Sequence, residues 1–284
     1  MITTEIAFHA PRTTAEVLEL LARHGDEAKL LGGGMSLVPT MNLGLARPEI
    51  LISLNRVAEL AYVTDRGTEI AIGGRTRHRA LLDSPLVAAG CPVLAEACRH
   101  IGDVQVRNRG TVGGSVAHAD PAADYLPVLV VTGATIVVRS TRGERAMPAS
   151  EFLVDVMYTA LEPDELLAEI RVPKIGAGTG AAYRRLARVE GSFAIVNAAA
   201  LVGPGAVRVA IGGTAATPVL VDLTDVTGGQ VNAASLDAVA SVVRTAVGEP
   251  FGDLNGDPEY RREMAVVFAR RALEAAAERA ALAG

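Results

Sequence analysis

Two short stretches of this sequence combine residue types that can bind a large anionic ligand. Arg109-Gly110-Thr111-Val112-Gly113-Gly114-Ser115 runs on into His118-Ala119-Asp120-Pro121-Ala122-Ala123-Asp124 and sets three glycines, two hydroxyls and two carboxylates within sixteen residues. Upstream, Leu31-Gly32-Gly33-Gly34-Met35-Ser36-Leu37 has the same chemistry. Glycine lets the backbone turn and approach a ligand where a Cβ would clash. Exposed N–H groups and hydroxyls in such loops cradle phosphate oxygens. A tight turn is the plain alternative for either loop alone. Two loops, each closed by a serine at a strand or helix junction, point instead to a ligand carrying a pyrophosphate.

Other chemistries fit less well. A Rossmann fingerprint needs a third glycine where Leu37 stands, and an acidic residue where the next strand gives Ile52-Ser53-Leu54-Asn55. Neither loop ends in the Gly-Lys-Ser/Thr of a P-loop. His118 and Asp120 could act as an acid–base pair, but no further histidine nearby completes a metal set. Asp124 reads as an acceptor for a cofactor hydroxyl or as a helix cap. Cys91 and Cys98 form no Cys-x-x-Cys pair and sit among Val93, Leu94, Ala97 and Ile101, as small hydrophobes do. The chain therefore holds no iron–sulfur cluster of its own. A net charge of −5 argues against a general nucleic-acid binder, and the cluster Arg75, Arg77 and Arg79 reads as a solvated face.

The elements that must position these loops alternate at first. Thr13 caps a helix, with Glu16 three residues on, and Val17, Leu18, Leu20 and Leu21 give helical spacing up to Gly25. Ala28 to Leu31 reads as a short buried strand entering the glycine loop, Met35 to Leu43 as a helical or turn segment, and Glu49 to Leu54 as a strand. Residues 62–73 look like a hairpin. Helices are expected through Ala80-Leu81-Leu82, Val93 to Ile101 and Tyr125 to Val131, with strands at Ala134 to Arg139 and Glu165 to Val172. The glycine-rich stretch from Pro173 to Gly180 marks a boundary. Beyond it Ala194 to Val202, Ala206 to Ile211 and Val219 to Leu223 read as strands. Ala233 to Val247 and Tyr260 to Leu282 read as helices, the last presenting Tyr260, Met264, Val267 and Phe268 on one face. Half the residues are apolar, and no apolar run reaches the ~18–20 residues of a membrane span. The N-terminal residues lack the pattern of a signal peptide, so a cytoplasmic protein is expected.

Several stretches resemble the FAD-binding medium subunit of the molybdenum hydroxylases, the carbon monoxide dehydrogenase and xanthine dehydrogenase family. They are Gly32-Gly33-Gly34-Met35-Ser36-Leu37-Val38-Pro39, Ile50 to Asn55, Arg107-Asn108-Arg109-Gly110-Thr111-Val112-Gly113-Gly114-Ser115 and Ala119 to Asp124, with Tyr260-Arg261 and Arg270-Arg271-Ala272-Leu273 near the end. The resemblance implies an α+β fold: a vanillyl-alcohol-oxidase/PCMH-type FAD-binding domain over 1–176, in lobes of about 1–56 and 57–176, and a small α+β C-terminal domain over 177–284. It implies non-covalent FAD, with Leu31, Gly32, Gly33, Gly34, Met35, Ser36 and Leu37, and Thr111, Gly113, Gly114 and Ser115, at the pyrophosphate and ribityl chain. Ile101 and Gly102 would lie at the flavin ring, Asp124 at a sugar or ribityl hydroxyl, and Leu161 near the adenine or the ring edge. Similar subunits have a Lys-Leu-Lys-Arg run and Gly-Asp before an aromatic residue. Here Arg185-Leu186-Ala187-Arg188-Val189-Glu190-Gly191-Ser192-Phe193 departs from that pattern, and Arg184 or Arg188 is left to supply positive charge to the flavin.

The resemblance further implies an electron-transferring oxidoreductase subunit with no catalytic residue and no metal of its own. A large partner subunit would carry molybdenum cofactor and a small one the 2Fe–2S clusters, in a dimer of heterotrimers that delivers electrons to an external acceptor. A carbon monoxide dehydrogenase-like enzyme, or one oxidising an N-heterocycle or an aldehyde, is expected. The competing readings are a stand-alone flavin oxidase of the same fold and a non-catalytic nucleotide-binding scaffold. The stretch beyond the boundary is short for a substrate domain and contains no histidine.

Overall fold

The structure, a computed structural model, describes residues 5–283. Its first sheet is parallel, with β1 (Ala7–His9), β2 (Ala28–Leu31) and β3 (Ile50–Ser53) in the order β1-β3-β2. Helix α1 (Thr14–His24) makes the crossover from β1 to β2. Thr13 caps it by accepting the Glu16 N–H at 3.2 Å, and Gly25 at φ +49° ends it. The Glu16 carboxylate bonds the Arg12 N–H rather than closing a capping box on Thr13. Val17 and Leu21 bury themselves with Ile50 and Ile52. After β2 the first glycine loop leads into α2 (Leu37–Asn42).

The second sheet is antiparallel, in the order β4-β5-β10-β6-β7. Its strands are β4 (Val63–Asp65), β5 (Glu69–Gly73), β6 (Thr135–Ser140), β7 (Gly143–Pro148) and β10 (Leu166–Pro173). Between β5 and β6 run six helices: α3 (His78–Leu82), α4 (Pro85–Gly90), α5 (Pro92–Arg99), α6 (Val104–Arg109), α7 (Val112–His118) and α8 (Tyr125–Val131). The short α9 (Ala149–Phe152) and the hairpin β8 (Leu153–Asp155) and β9 (Tyr158–Thr159) fill the gap before β10. Ile70, Ile72, Ile136, Val138 and Ile170 face α5 and α8 across the main core.

The third sheet is an antiparallel meander of β11 (Gly180–Leu186), β12 (Val196–Gly203), β13 (Ala206–Gly212) and β14 (Val219–Asp222). Every residue of α8 is buried. It packs on the second sheet's core and on β12 and β13, so it joins the two parts. The short α10 (Thr224–Thr227) leads to α11 (Ala233–Val247), which packs on α12 (Pro258–Ala283).

Of the four residues grouped on α12 from the sequence, only Phe268 belongs to its buried face. That face carries Arg261, Ala265, Phe268, Ala269, Ala272 and Ala276, whereas Tyr260 is exposed and Met264 and Val267 are only half-buried. The reason is close packing. Alanines of α12 lie on alanine-rich β11 and β12, and a Cβ on Gly180 would run into the Ala276 carbonyl. Small side chains make that contact, with Val266, Phe268 and Leu273 buried beside them. Among the described residues no helix is long and apolar enough to cross a membrane.

Candidate functional site

The two glycine loops lie directly on one another. A Cβ on Gly33 would collide with the Arg109 carbonyl and lie 2.6 Å from Gly110 Cα; one on Gly32 would lie 2.8 Å from Thr111 Oγ1. The glycines at 32 and 33 are therefore set by the approach of chain to chain. Gly34, at φ +77°, is required by the turn itself.

Alike in composition, the loops differ in what their amides do. In the first, the N–H groups of Gly33, Gly34, Met35, Ser36 and Leu37 meet no acceptor among the described residues, and Ser36 makes no side-chain cap on α2. Five successive donors are thus open, and residues 31–37 contain no acidic side chain. The second loop is a capped helix rather than an irregular one. Val112 N–H donates to the Thr76 carbonyl at 2.9 Å, Gly113 to Gly74 at 3.0 Å and Ser115 to Thr111 at 3.0 Å. Thr111 Oγ1 accepts the Gly114 N–H at 3.2 Å. Gly113 rests against the Gly74 backbone, 2.7 Å from a Cβ to Gly74 Cα. What this loop still offers is the exposed face of Gly114 and the Ser115 hydroxyl, which has no partner among the described residues. A buried set lies beneath it. His78 N–H donates to the Gly110 carbonyl, His78 Nδ1 lies 3.0 Å from the Tyr125 hydroxyl, and that hydroxyl donates to Cys98 Sγ. Burial, then the charges of Arg77 and Arg107, push the His78 imidazole down to about 4.

Ile101 and Gly102 follow α5 in a tight turn, with Gly102 at φ +49°. Arg107 Nη1 holds both carbonyls at 2.9 Å. Gly191 packs on the Gly102 carbonyl, so the divergent loop after β11 meets this turn. That loop exposes Val189 by 66% and Phe193 by 58%.

Asp124 has partners other than those expected. It is 5% exposed, and its Oδ1 accepts the Tyr183 hydroxyl at 2.5 Å and pairs with Arg185 at 2.9 Å. Burial raises its pKa, against the pull of Arg185 and Tyr183. It makes no side-chain cap on α8 either. It ties α8 to β11, a long-range role that no local signal announces. Arg184 pairs with Glu96 at 2.8 Å, and Arg279 joins the same carboxylate at 2.8 Å. Burial would raise Glu96, but these arginines and the Tyr183 N–H hold it below the usual carboxylate range. Arg184 thus has a carboxylate partner while staying partly exposed, and Arg188 is exposed without an ion-pair partner among the described residues. Leu161 lies after β9, half-buried against the main core that also holds Val112 and Val116 of α7. Asp120 is used in a local turn, accepting the Ala122 N–H at 2.9 Å.

Comparison with known proteins places relatives over the whole chain. A family model described as the FAD binding domain in molybdopterin dehydrogenase matches residues 4–175, and one described as the CO dehydrogenase flavoprotein C-terminal domain matches residues 181–276. The carbon monoxide dehydrogenase medium chain of Hydrogenophaga pseudoflava is 38% identical, over 99% of this chain and 100% of its own length. The glyceraldehyde dehydrogenase medium chain of Sulfolobus acidocaldarius is 31% identical, over 96% of this chain and 99% of its own. The solved carbon monoxide dehydrogenase of Hydrogenophaga pseudoflava, in a form lacking the Mo-pyranopterin moiety, superposes with a TM-score of 0.92 over 98% of this chain and 99% of its counterpart.

Proposed function

This chain belongs to the FAD-binding subunits of the molybdopterin dehydrogenases, and from that premise we propose how its loops serve FAD as the medium, electron-transferring subunit of a molybdenum hydroxylase. The five open amides of residues 33–37 carry this reading. They form a neutral donor row with no carboxylate nearby in sequence, which suits the two negative charges of a pyrophosphate. Bound there, FAD supplies two-electron redox chemistry that the chain's own side chains lack.

The chain's part is to hold and to shield. Gly33, Gly34, Met35, Ser36 and Leu37 donate to the pyrophosphate, and Ser115 adds a hydroxyl from the second loop. The packing of Gly32 and Gly33 on Arg109 to Thr111 fixes the spacing between loops. The turn at Ile101 and Gly102, clasped by Arg107, faces the ring together with the loop 188–193. Arg188 is the free charge available to a reduced flavin. Thr111, Gly113 and Gly114 shape the cradle, Asp124 reaches a sugar hydroxyl through the oxygen not engaged by Tyr183, and Leu161 borders the adenine or ring edge. We assign residues 1–176 to the FAD-binding domain and 177–284 to the C-terminal domain. In support, the second sheet ends with β10 and the third begins at Gly180.

Electrons reach this subunit from the 2Fe–2S clusters of a small partner, after oxidation of substrate at molybdenum cofactor in a large one, and leave to an external acceptor. The complex is a cytoplasmic dimer of heterotrimers oxidising carbon monoxide, an N-heterocycle or an aldehyde. Acid precipitation of the purified chain is the test. FAD should appear in the supernatant, close to one per chain; colour held in the washed pellet would mean covalent attachment and overturn the reading.

A further inference from the structure

An open pocket of about 350 Å³ shares no lining residue with the glycine loops, although Thr76 and Arg77 in its wall bond the second loop at Val112 and Arg109. Arg75 and Arg77 line it with Tyr62, Thr76, Ala80 and Ser84. The two arginines alternate along the segment after β5 and are fixed by neutral acceptors only. Arg75 Nη2 donates to the Asn55 carbonyl at 2.5 Å, Arg77 Nη2 to Asn55 Oδ1 at 2.7 Å, and Arg77 Nη1 to the Arg109 carbonyl. No carboxylate lies within ion-pair distance of either among the described residues.

Arg107 too is held by carbonyls alone, but six other guanidiniums are neutralised. Arg145, Arg171, Arg184, Arg185, Arg261 and Arg279 each meet an Asp or Glu. Here two cations stand together, and Arg75 Nε is buried with no acceptor at all. A buried donor left unmet, beside a like charge, is costly unless an anion completes it. Burial, then Arg75 and Arg109, depress the Arg77 pKa, as expected of a cation with cationic neighbours. Ser84 Oγ only accepts, from the Val87 N–H at 3.5 Å, which leaves its own O–H to donate. Ala61, Val63 and Ala80 add apolar wall. A volume in the range of small-molecule pockets, ~300–1,000 Å³, exceeds the needs of a bare ion.

We propose that this cavity is an oxyanion site for a small phosphate-bearing organic molecule, its phosphate forked by Arg75 and Arg77 and its organic part against Tyr62 and Ala80. Guanidinium forks match phosphate oxygens in geometry as well as charge. The pocket shares no lining residue with the cofactor cradle, and the proposal does not depend on how that cradle is read.

The test uses the full-length chain loaded with FAD, so that the cradle is filled. Inorganic phosphate and AMP are titrated by calorimetry, with adenosine as the uncharged control. Saturable binding of phosphate and tighter binding of AMP are expected, with none of adenosine. Arg75→Gln should weaken both by tenfold or more at unchanged FAD content. Ala80→Glu, at an exposed position on the cavity wall, supplies a built-in carboxylate and should abolish binding without unfolding the chain; it decides the matter if Arg75→Gln fails to fold. Equal binding to wild type and Ala80→Glu overturns the proposal. So does the absence of saturable binding at millimolar phosphate and AMP, or binding seen only without FAD and displaced by it.

Discussion

The two glycine loops look alike in sequence and do opposite things with their backbone. The first keeps five N–H groups open at Gly33 to Leu37, over a helix whose N-cap serine makes no cap. The second consumes its N–H groups at Val112, Gly113, Gly114 and Ser115 on Thr76, Gly74 and Thr111. One loop is a donor row for a ligand; the other is a buttress that shapes it. Glycine serves both, because close approach to a ligand and close approach to another backbone make the same demand. A count of glycines and hydroxyls cannot separate the two, but an accounting of amide partners can.

The largest effect expected from this difference is at their contact. Gly33→Ala drives a methyl into the Arg109 carbonyl, and overpacking of this kind costs about 1–3 kcal/mol. FAD retention should be lost and the melting temperature should fall; wild-type flavin content in this variant would break the picture of stacked loops.

Acid should act on the buttress through His78. Burial pushes its imidazole pKa down to about 4 from the ordinary 6.5, so the unfolded state takes up a proton first as pH falls. Stability from this group is full above pH 6.5 and declines toward pH 4, by on the order of 3 kcal/mol. Urea midpoints across that range should drop, and the slope should flatten in His78→Gln. An unchanged slope would mean that another group controls the acid limb.

Smaller effects separate cap from ligand contact. Thr111→Val removes the α7 cap and should cost about 1 kcal/mol of stability, while Thr111→Ser should restore it. Ser115→Ala should leave the melting temperature alone and weaken FAD about three- to tenfold, the worth of one hydrogen bond. A stability loss at Ser115, or none at Thr111, would reverse the roles assigned to the second loop.

Much of the frame was legible from local pattern. The strand into Gly32, the hairpin over 62–73, the apolar helix Tyr125–Val131 and the two C-terminal helices all follow from periodicity and turn residues. The helix inside the second loop was not, because Val112-Gly113-Gly114-Ser115 reads as turn chemistry, and only Thr111 as cap and Gly74 as neighbour make it helical. Strand β11 was hidden by the glycine that opens it, where α12 needs room for the Ala276 carbonyl. The partners of the site residues were least legible. Asp124 meets Tyr183 and Arg185, and Arg184 meets Glu96, across long separations in sequence. Charge says that such a residue needs a partner, and only the fold says which.

Residue-resolved hydrogen exchange, with and without FAD, tests the central contrast most directly. Amides 33–37, lacking acceptors, should exchange quickly in the FAD-free chain and become protected when FAD binds, whereas those of Val112, Gly113 and Ser115 should be protected in both states. Fast exchange at 33–37 that FAD does not slow, or protection that appears on binding only at 112–115, would contradict the assignment of the first loop as the donor row.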